Sequence, residues 1–105
     1  MKEIPLQEIG HKGVRSMTAF LKRHGCTPIA KHYGQEYHYH SGFFYSPKGA
    51  LWYWMGGDDR LIPARVLIRT AKDLKDYTGG RNQYPQTGEE FDTLIKERDE
   101  TIAAA

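Results

Sequence analysis

Cysteine and long apolar runs are nearly absent from this sequence. Cys26 stands alone among 105 residues, which excludes an internal disulfide and favours a reducing, cytoplasmic setting. The longest apolar run, at 50–55, has six residues, against the roughly 18 that a bilayer-crossing helix needs. The segment that follows Met1 has no signal-peptide core. We therefore expect a single domain over residues 1–105, with a modest hydrophobic core and no membrane contact.

Motifs that would identify a reaction are also missing. The run Gly-Gly-Arg at 79–81 lacks the lysine and the hydroxyl that a phosphate-binding loop requires. Cys26 follows the end of a predicted helix, where the helix dipole raises the pKa of a thiol and makes it a poor nucleophile. The adjacent acids at 58–59 follow two glycines, as in a solvated loop. We expect a non-catalytic protein that needs no cofactor.

A metal site is the next possibility, because His38 and His40 would point to one side of a strand. Imidazoles at this spacing can share a metal ion, but structural zinc takes four ligands. Neither paired cysteines nor a carboxylate at a supporting spacing accompanies them. We therefore expect no metal, although the sequence alone leaves the role of these two histidines open.

Aromatic side chains are what the sequence has in abundance. The stretch 36–55 holds eight of the thirteen Phe, Tyr and Trp residues. Within it, two runs of strand-forming residues flank the segment Ser-Pro-Lys-Gly at 46–49, where proline and glycine favour a tight reversal. The stretch predicts a β-hairpin.

The faces of this hairpin follow from its loop. A loop of two or four residues centred on Pro47 and Lys48 pairs Phe43 with Trp52, and successive side chains then alternate between the two faces. The predicted ring-rich face consists of Tyr37, Tyr39, Phe43, Tyr45, Trp52 and Trp54. The opposite face consists of His38, His40, Phe44, Leu51, Tyr53 and Met55. A bulge at Gly42 would exchange half of each set, and which face is buried stays open.

Helices and further strands are predicted on both sides of the hairpin. Residues 1–12 are poorly patterned and broken by Pro5 and Gly10, so we expect a loop with a short turn or an edge strand. Apolar residues at helical spacing predict an amphipathic helix over 14–24, which ends at Gly25 and turns Arg15, Lys22 and Arg23 outward. A strand is expected over 29–33.

The second half of the chain predicts one strand and two helices. Arg65 to Thr70 has the alternation of a strand, Thr70 begins a short helix that stops at Gly79, and 88–103 form a final helix. The expected fold is α+β: an antiparallel sheet of three or four strands built on the central hairpin, with one helix before it and two after it packing on one face.

Charge is distributed unevenly along the chain. Residues 1–35 carry six Lys and Arg against two acids, 36–85 carry seven against five, and 86–105 carry two against six. A basic body with an acidic C-terminal helix over 86–105 fits contact with a polyanion, and equally fits an acidic helix that lies against its own basic flank.

Single-stranded nucleic acid is held by rings on which bases stack, next to cations that meet the backbone. The ring-rich hairpin face would supply the rings and the neighbouring segments the cations. The predicted nucleic-acid-binding residues are Tyr39, Phe43, Lys48, Trp52, Trp54, Arg60, Arg65, Arg69 and Arg81.

Five short motifs stand in an order seen in a known domain: FLKRHG at 20–25, CTP at 26–28, EYHYH at 36–40, LWYW at 51–54 and GGDD at 56–59. In this layout the chain resembles the zinc-ribbon domain that opens bacterial and mobile-element primases. Apart from Cys26, the family's Cys and His zinc ligands are absent, so the metal is not carried over. The resemblance implies DNA contact by an aromatic and basic hairpin, without catalysis by this domain.

A second resemblance is to helix-turn-helix regulators. In that case Gly13 and Val14 would open a recognition helix that runs to Gly25, with Thr18 and Arg23 outward, and a first helix would occupy 6–12.

We therefore expect a small non-catalytic binding module, of phage or mobile-element type, that contacts single-stranded or template nucleic acid. The alternatives are a module that docks on a host protein through the same rings, and a helix-turn-helix DNA-binding regulator. The identity of the partner and the oligomeric state are not encoded in any motif.

Overall fold

The computed structural model describes residues 5–57, 60, 62 and 65–104, with the backbone alone at 30–31 and 103–104; the predicted loop at 58–59 lies outside these residues. The helices are α1 (Leu6–Lys12), α2 (Val14–Arg23) and α3 (Gly88–Ala104), and the strands are β1 (Thr27–Gln35), β2 (Tyr39–Tyr45), β3 (Leu51–Gly57) and β4 (Val66–Thr70). The strands form one antiparallel sheet in the order β1-β2-β3-β4, which confirms the predicted α+β class. An isolated bridge from Ile68 to Gln83 adds one pairing position beyond β4. Among these helices none has the length and apolar character to cross a membrane.

The predicted order of helices is wrong, because two helices precede the sheet and one follows it. Helix α1 forms in the segment read as poorly patterned, and it buries Leu6 and Ile9 against the sheet. Gly10 does not break this helix. A Cβ at Gly10 would collide with Val66 and with the carbonyl of Arg65, so the glycine allows α1 to approach the sheet closely.

The helix predicted from Thr70 to Gly79 is also wrong, because this segment forms consecutive turns. The carboxylate of Asp76 accepts hydrogen bonds from the backbone N–H groups of Lys72 (3.0 Å) and Gly79 (2.7 Å). These bonds lower the pKa of Asp76 and give the backbone an alternative to helical pairing.

The hairpin register differs by one residue from the predicted one. Phe43 pairs with Tyr53 and Phe44 with Trp52, since the loop has three residues, Pro47 to Gly49. Gly49 adopts the left-handed φ of 90° that such a loop requires, and the Ser46 N–H donates to the Ala50 carbonyl at 2.8 Å. The predicted faces are therefore wrong.

One face of the sheet is covered by all three helices and holds the hydrophobic core. Its sheet residues are Phe44, Trp52, Trp54, Val66 and Ile68, and its helix residues are Leu6, Ile9, Met17, Phe20, Leu21, Phe91 and Ile95. Burial of this apolar surface, at roughly 25 cal/mol per Å², is the main stabilising contribution to the fold.

The other face of the sheet is covered by the turn segment 71–82. Phe43 and Tyr53 are 0% and 3% exposed, and the ring of Tyr77 meets both, with centroid distances of 5.5 and 6.0 Å. The guanidinium of Arg69 lies 4.5 Å from the centre of the Tyr53 ring. Both faces of the hairpin are thus covered.

Candidate nucleic-acid interface

The tryptophans that were expected to form a stacking surface lie in the core. Trp54 is 0% exposed and Trp52 3% exposed, beneath the helices, and Phe43 is sealed on the opposite face. A base cannot reach these three rings in the folded protein, so their assignment as stacking residues is wrong. The sequence identified the rings correctly but not which surfaces the helices and the 71–82 segment cover.

The predicted cations do not form one surface around the hairpin. Lys48 is at the tip of the β2–β3 hairpin, beside α3. Arg69 is 9% exposed; it donates to Asn82 Oδ1 at 3.1 Å and to the carbonyl of Tyr77. Arg81 is exposed in the segment after β4. Lys48 is thus at the hairpin tip, whereas Arg69 is bound to the 77–82 segment, which includes Arg81.

A smaller part of the predicted nucleic-acid-binding set lies at the end of the sheet opposite to the β2–β3 hairpin tip. Nη2 of Arg60 lies 2.9 Å from Nδ1 of His38, in the turn between β1 and β2. Tyr39 begins β2 there, and burial followed by the charge of Glu36 raises its pKa. Arg65, with a positive φ of 61°, comes just before β4. Tyr37, in the same turn, is 92% exposed.

The structure also forms a groove that the sequence analysis did not anticipate, between α2 and the edge strand β1. It encloses about 610 Å³, and its lining residues are Val14, Arg15, Thr18, Ala19, Lys22 and Tyr33. Thr18 Oγ1 and the Tyr33 hydroxyl share a hydrogen bond of 2.7 Å, and the Tyr33 ring packs edge-on against Trp54 at 6.3 Å. These two contacts hold Tyr33 in place between α2 and the core. We call this groove the α2–β1 groove.

The α2–β1 groove is cationic, and none of its described lining residues is an acid. Arg15 and Lys22 project into it, and neither forms an ion pair with any residue that the structure describes. Residues 9–35, which include α2 and β1, contain five Lys and Arg and no Asp or Glu. This acid-free run was the available signal for the site. The outward direction of Arg15 and Lys22 was predicted, but the contribution of Tyr33 depends on how α2 packs against β1.

Strand β1 is an irregular edge. Its pairing with β2 shifts between Ile29 and Gly34, where six positions of β1 correspond to three of β2, from Phe43 to Ser41. Pro28 lies in the same strand and has no N–H to donate. Bulges and proline at an edge discourage the addition of another strand, so the edge is poorly suited to pair with an extended peptide.

A second cleft lies between α3 and the tip of the β2–β3 hairpin, and we call it the α3 cleft. It encloses about 350 Å³, and its lining residues are His24, Pro47, Lys48, Asp92, Ile95, Lys96, Asp99 and Glu100. His24 Nδ1 lies 2.7 Å from Asp92 Oδ1, and the Ser46 hydroxyl donates to the buried carboxylate of Asp99 at 2.5 Å.

Cys26 is buried next to the α3 cleft. Burial, together with the negative charges of Asp92 and Asp99, raises the pKa of its thiol to about 12. The thiol is therefore protonated at neutral pH and is not activated as a nucleophile.

No group of three or more His, Cys, Asp or Glu side chains in the described part of the chain is arranged to hold a metal ion. His38 and His40 do not act together: His38 faces Arg60, whereas His40 lies beside Gly13 at the start of α2.

Comparison of the chain with protein-family models, with curated proteins and with solved structures found no match.

Proposed function

We propose that this protein binds nucleic acid, and that the α2–β1 groove is the surface that contacts the phosphate backbone. The observation that carries the proposal is a groove with two cations that have no ion-pair partner and no acidic neighbour among the described residues, within a run of 27 residues that lacks Asp and Glu. Phosphate contacts by Arg and Lys supply most of the affinity of such proteins.

The spacing of the cations suits a polyanion. Arg15 and Lys22 are seven residues apart on one helix, so they lie on the same face, two turns and roughly 10 Å apart. Tyr33 on the opposite wall is held by Thr18 and Trp54, and its hydroxyl can make one further hydrogen bond. Together these groups can contact two phosphates and the sugar or base between them.

The helix-turn-helix alternative is supported in part by the helices themselves. Helices α1 and α2 occupy the two segments that this resemblance requires. Only Gly13 separates them, however, whereas the motif uses a turn of three or four residues. The geometry therefore favours backbone contact through the groove over insertion of α2 into a major groove.

Docking on a host protein through the ring-rich hairpin face is the less favoured alternative. It would require Trp52, Trp54 and Phe43, and all three side chains are buried. The irregular edge of β1 also disfavours the strand addition by which many extended peptides bind.

The test is a fluorescence anisotropy titration of a labelled oligonucleotide at low and at near-physiological salt. Replacement of both Arg15 and Lys22 by alanine should weaken binding roughly tenfold, because two phosphate contacts are lost. The matched control replaces Lys75 and Arg98, which are exposed and lie outside the groove, and should leave the affinity within about twofold of the wild type. Equal losses in the two variants, or no binding by the wild type, would overturn the proposal.

A further inference from the structure

The turn between β1 and β2 carries a large ring that takes almost no part in the fold. Tyr37 is 92% exposed, while its neighbour Tyr39 is half-buried. The backbone around it is fixed, because the Glu36 N–H donates to the Tyr39 carbonyl at 2.7 Å. The His38 ring meets Tyr37 edge-on at a centroid distance of 4.3 Å, which holds the tyrosine ring in place and leaves a face open. A positioned, solvated ring of this kind suits contact with a ligand.

On the premise of the proposed function, we infer that the nucleic acid is single-stranded and that Tyr37 stacks on one of its bases. The base faces of a duplex are hidden in its stack and cost free energy to separate, so a protruding ring stacks on a base most readily where the strand is single.

The location of Tyr37 fits this role, because the turn continues from one end of the α2–β1 groove. Gly13, the residue before α2, is so close to His40 that a Cβ there would lie 3.2 Å from His40 Nε2. His40 pairs with Gln35 at the end of β1. Tyr37 follows Gln35 by two residues, or about 7 Å of chain. A strand that leaves the groove at its Val14 end is thus directed toward this ring.

The charges at the turn are compatible with an anionic strand. The guanidinium of Arg60 contacts His38, next to Tyr37. Among the described residues of the turn, Glu36 is an acid, and its charge adds to burial in raising the pKa of Tyr39. Tyr39 shares a strand face with Phe43, on the side of the sheet away from the helices and the groove. The described part of the turn therefore brings together one guanidinium and one carboxylate, with no net charge against an anionic strand.

The experiment compares a labelled oligothymidylate with a duplex of the same length, using wild-type protein and three variants. Tyr37→Ala should weaken binding of the single strand by at least about fivefold, while Tyr37→Phe should bind within twofold of the wild type, because the ring alone provides stacking. Tyr84→Ala is the matched control, since Tyr84 is 39% exposed and lines a different cleft together with Glu90. The duplex should bind several-fold more weakly than the single strand.

The outcomes separate this inference from the proposed function. If Arg15→Ala/Lys22→Ala weakens binding but Tyr37→Ala does not, or if the duplex binds as tightly as the single strand, the stacking inference is wrong and the groove stands. If Tyr37→Phe binds the single strand as weakly as Tyr37→Ala does, the effect comes from the hydroxyl, and this result would also overturn stacking. Absence of binding to either oligonucleotide overturns both proposals. Thermal unfolding of Tyr37→Ala should match the wild type, since the ring buries almost nothing.

Discussion

The α2–β1 groove and the α3 cleft differ in charge although one runs along helix α2 and the other is lined by His24, the residue that follows this helix. The groove is lined by two cations and no acid, whereas the cleft is lined by three carboxylates, two lysines and a histidine. In the cleft, four of the five Asp, Glu and Lys side chains have partners: Asp92 meets His24, Asp99 accepts from Ser46, and Lys96 lies 4.0 Å from Glu100. In the groove, Arg15 and Lys22 have none among the described residues. Cations that lack ion-pair partners therefore indicate a surface suited to an anionic ligand better than the number of charges does.

The acidic helix α3 is what keeps the two regions distinct. Its apolar side is fixed in the core by Phe91, whose ring meets Phe20 at 5.0 Å and Phe44 at 5.9 Å. Two of its acids, Asp92 and Asp99, are thereby held at the end of α2 and at the hairpin loop. The sequence left open whether the acidic segment lies on the basic flank; the structure places two of its acids at the end of α2 and at the hairpin loop.

The largest effect is expected from detachment of α3. Phe91→Ala should lower the free energy of unfolding by about 3–5 kcal/mol, because a fully buried ring is removed from the core. Denaturation by urea, followed by tryptophan fluorescence, measures the loss. In conditions where the variant stays folded, its nucleic-acid affinity should be unchanged. Unchanged stability would contradict the packing of α3, and a lost affinity would show that the groove depends on that helix.

An intermediate effect is expected from the hydrogen bond that closes the α3 cleft. Ser46 donates to Asp99 and also accepts from the Ala50 N–H at 2.9 Å, so Ser46→Ala leaves a buried carboxylate and a loop amide without this partner. The variant should lose about 1–3 kcal/mol of stability, with oligonucleotide binding unaltered. Ser16→Ala, at a half-buried position of α2, is the control and should change stability by less than about 0.5 kcal/mol.

The smallest effect concerns the pH dependence of stability at Cys26. Its thiol has a pKa of about 12 in the folded protein against 9.0 ordinarily, so the unfolded chain loses the proton first as the pH rises. The contribution is complete below pH 9 and is lost between pH 9 and 12. From pH 8 to 10 the wild type should lose about 1 kcal/mol more stability than Cys26→Ala. Parallel pH profiles for the two proteins would show that neither burial nor the carboxylates of the cleft raise the pKa of this thiol.

Much of the fold follows from local patterns in the sequence. The spacing of Met17, Phe20 and Leu21 predicted α2, and the alternation in 65–70 predicted β4. The errors have identifiable causes: Gly49 lengthens the hairpin loop, Asp76 replaces a helix by turns, and Gly10 allows a helix where a break was expected. Each of these errors depends on contacts made by one residue. The spacing of apolar residues in the sequence gives no information about such contacts.

The candidate site was less accessible to sequence analysis. The outward cations of α2 were visible in the helical pattern, but the groove requires Tyr33 to be placed opposite Thr18 by the packing of β1 on α2. The tryptophans were misassigned, because composition reports which side chains are aromatic and only the tertiary fold decides which are covered. Exposed Tyr37 belongs to the same stretch as those tryptophans, and the sequence offers no feature that separates the two kinds of ring.

The most direct test of the central claim is the salt dependence of oligonucleotide binding, measured for the wild type and for Arg15→Ala/Lys22→Ala. If the α2–β1 groove holds the backbone, the plot of log affinity against log salt should have a clearly negative slope for the wild type. Removal of two contacts to a single strand should make that slope less steep by about 1.4. Identical slopes for the two proteins would contradict the assignment of this groove as the nucleic-acid-binding surface.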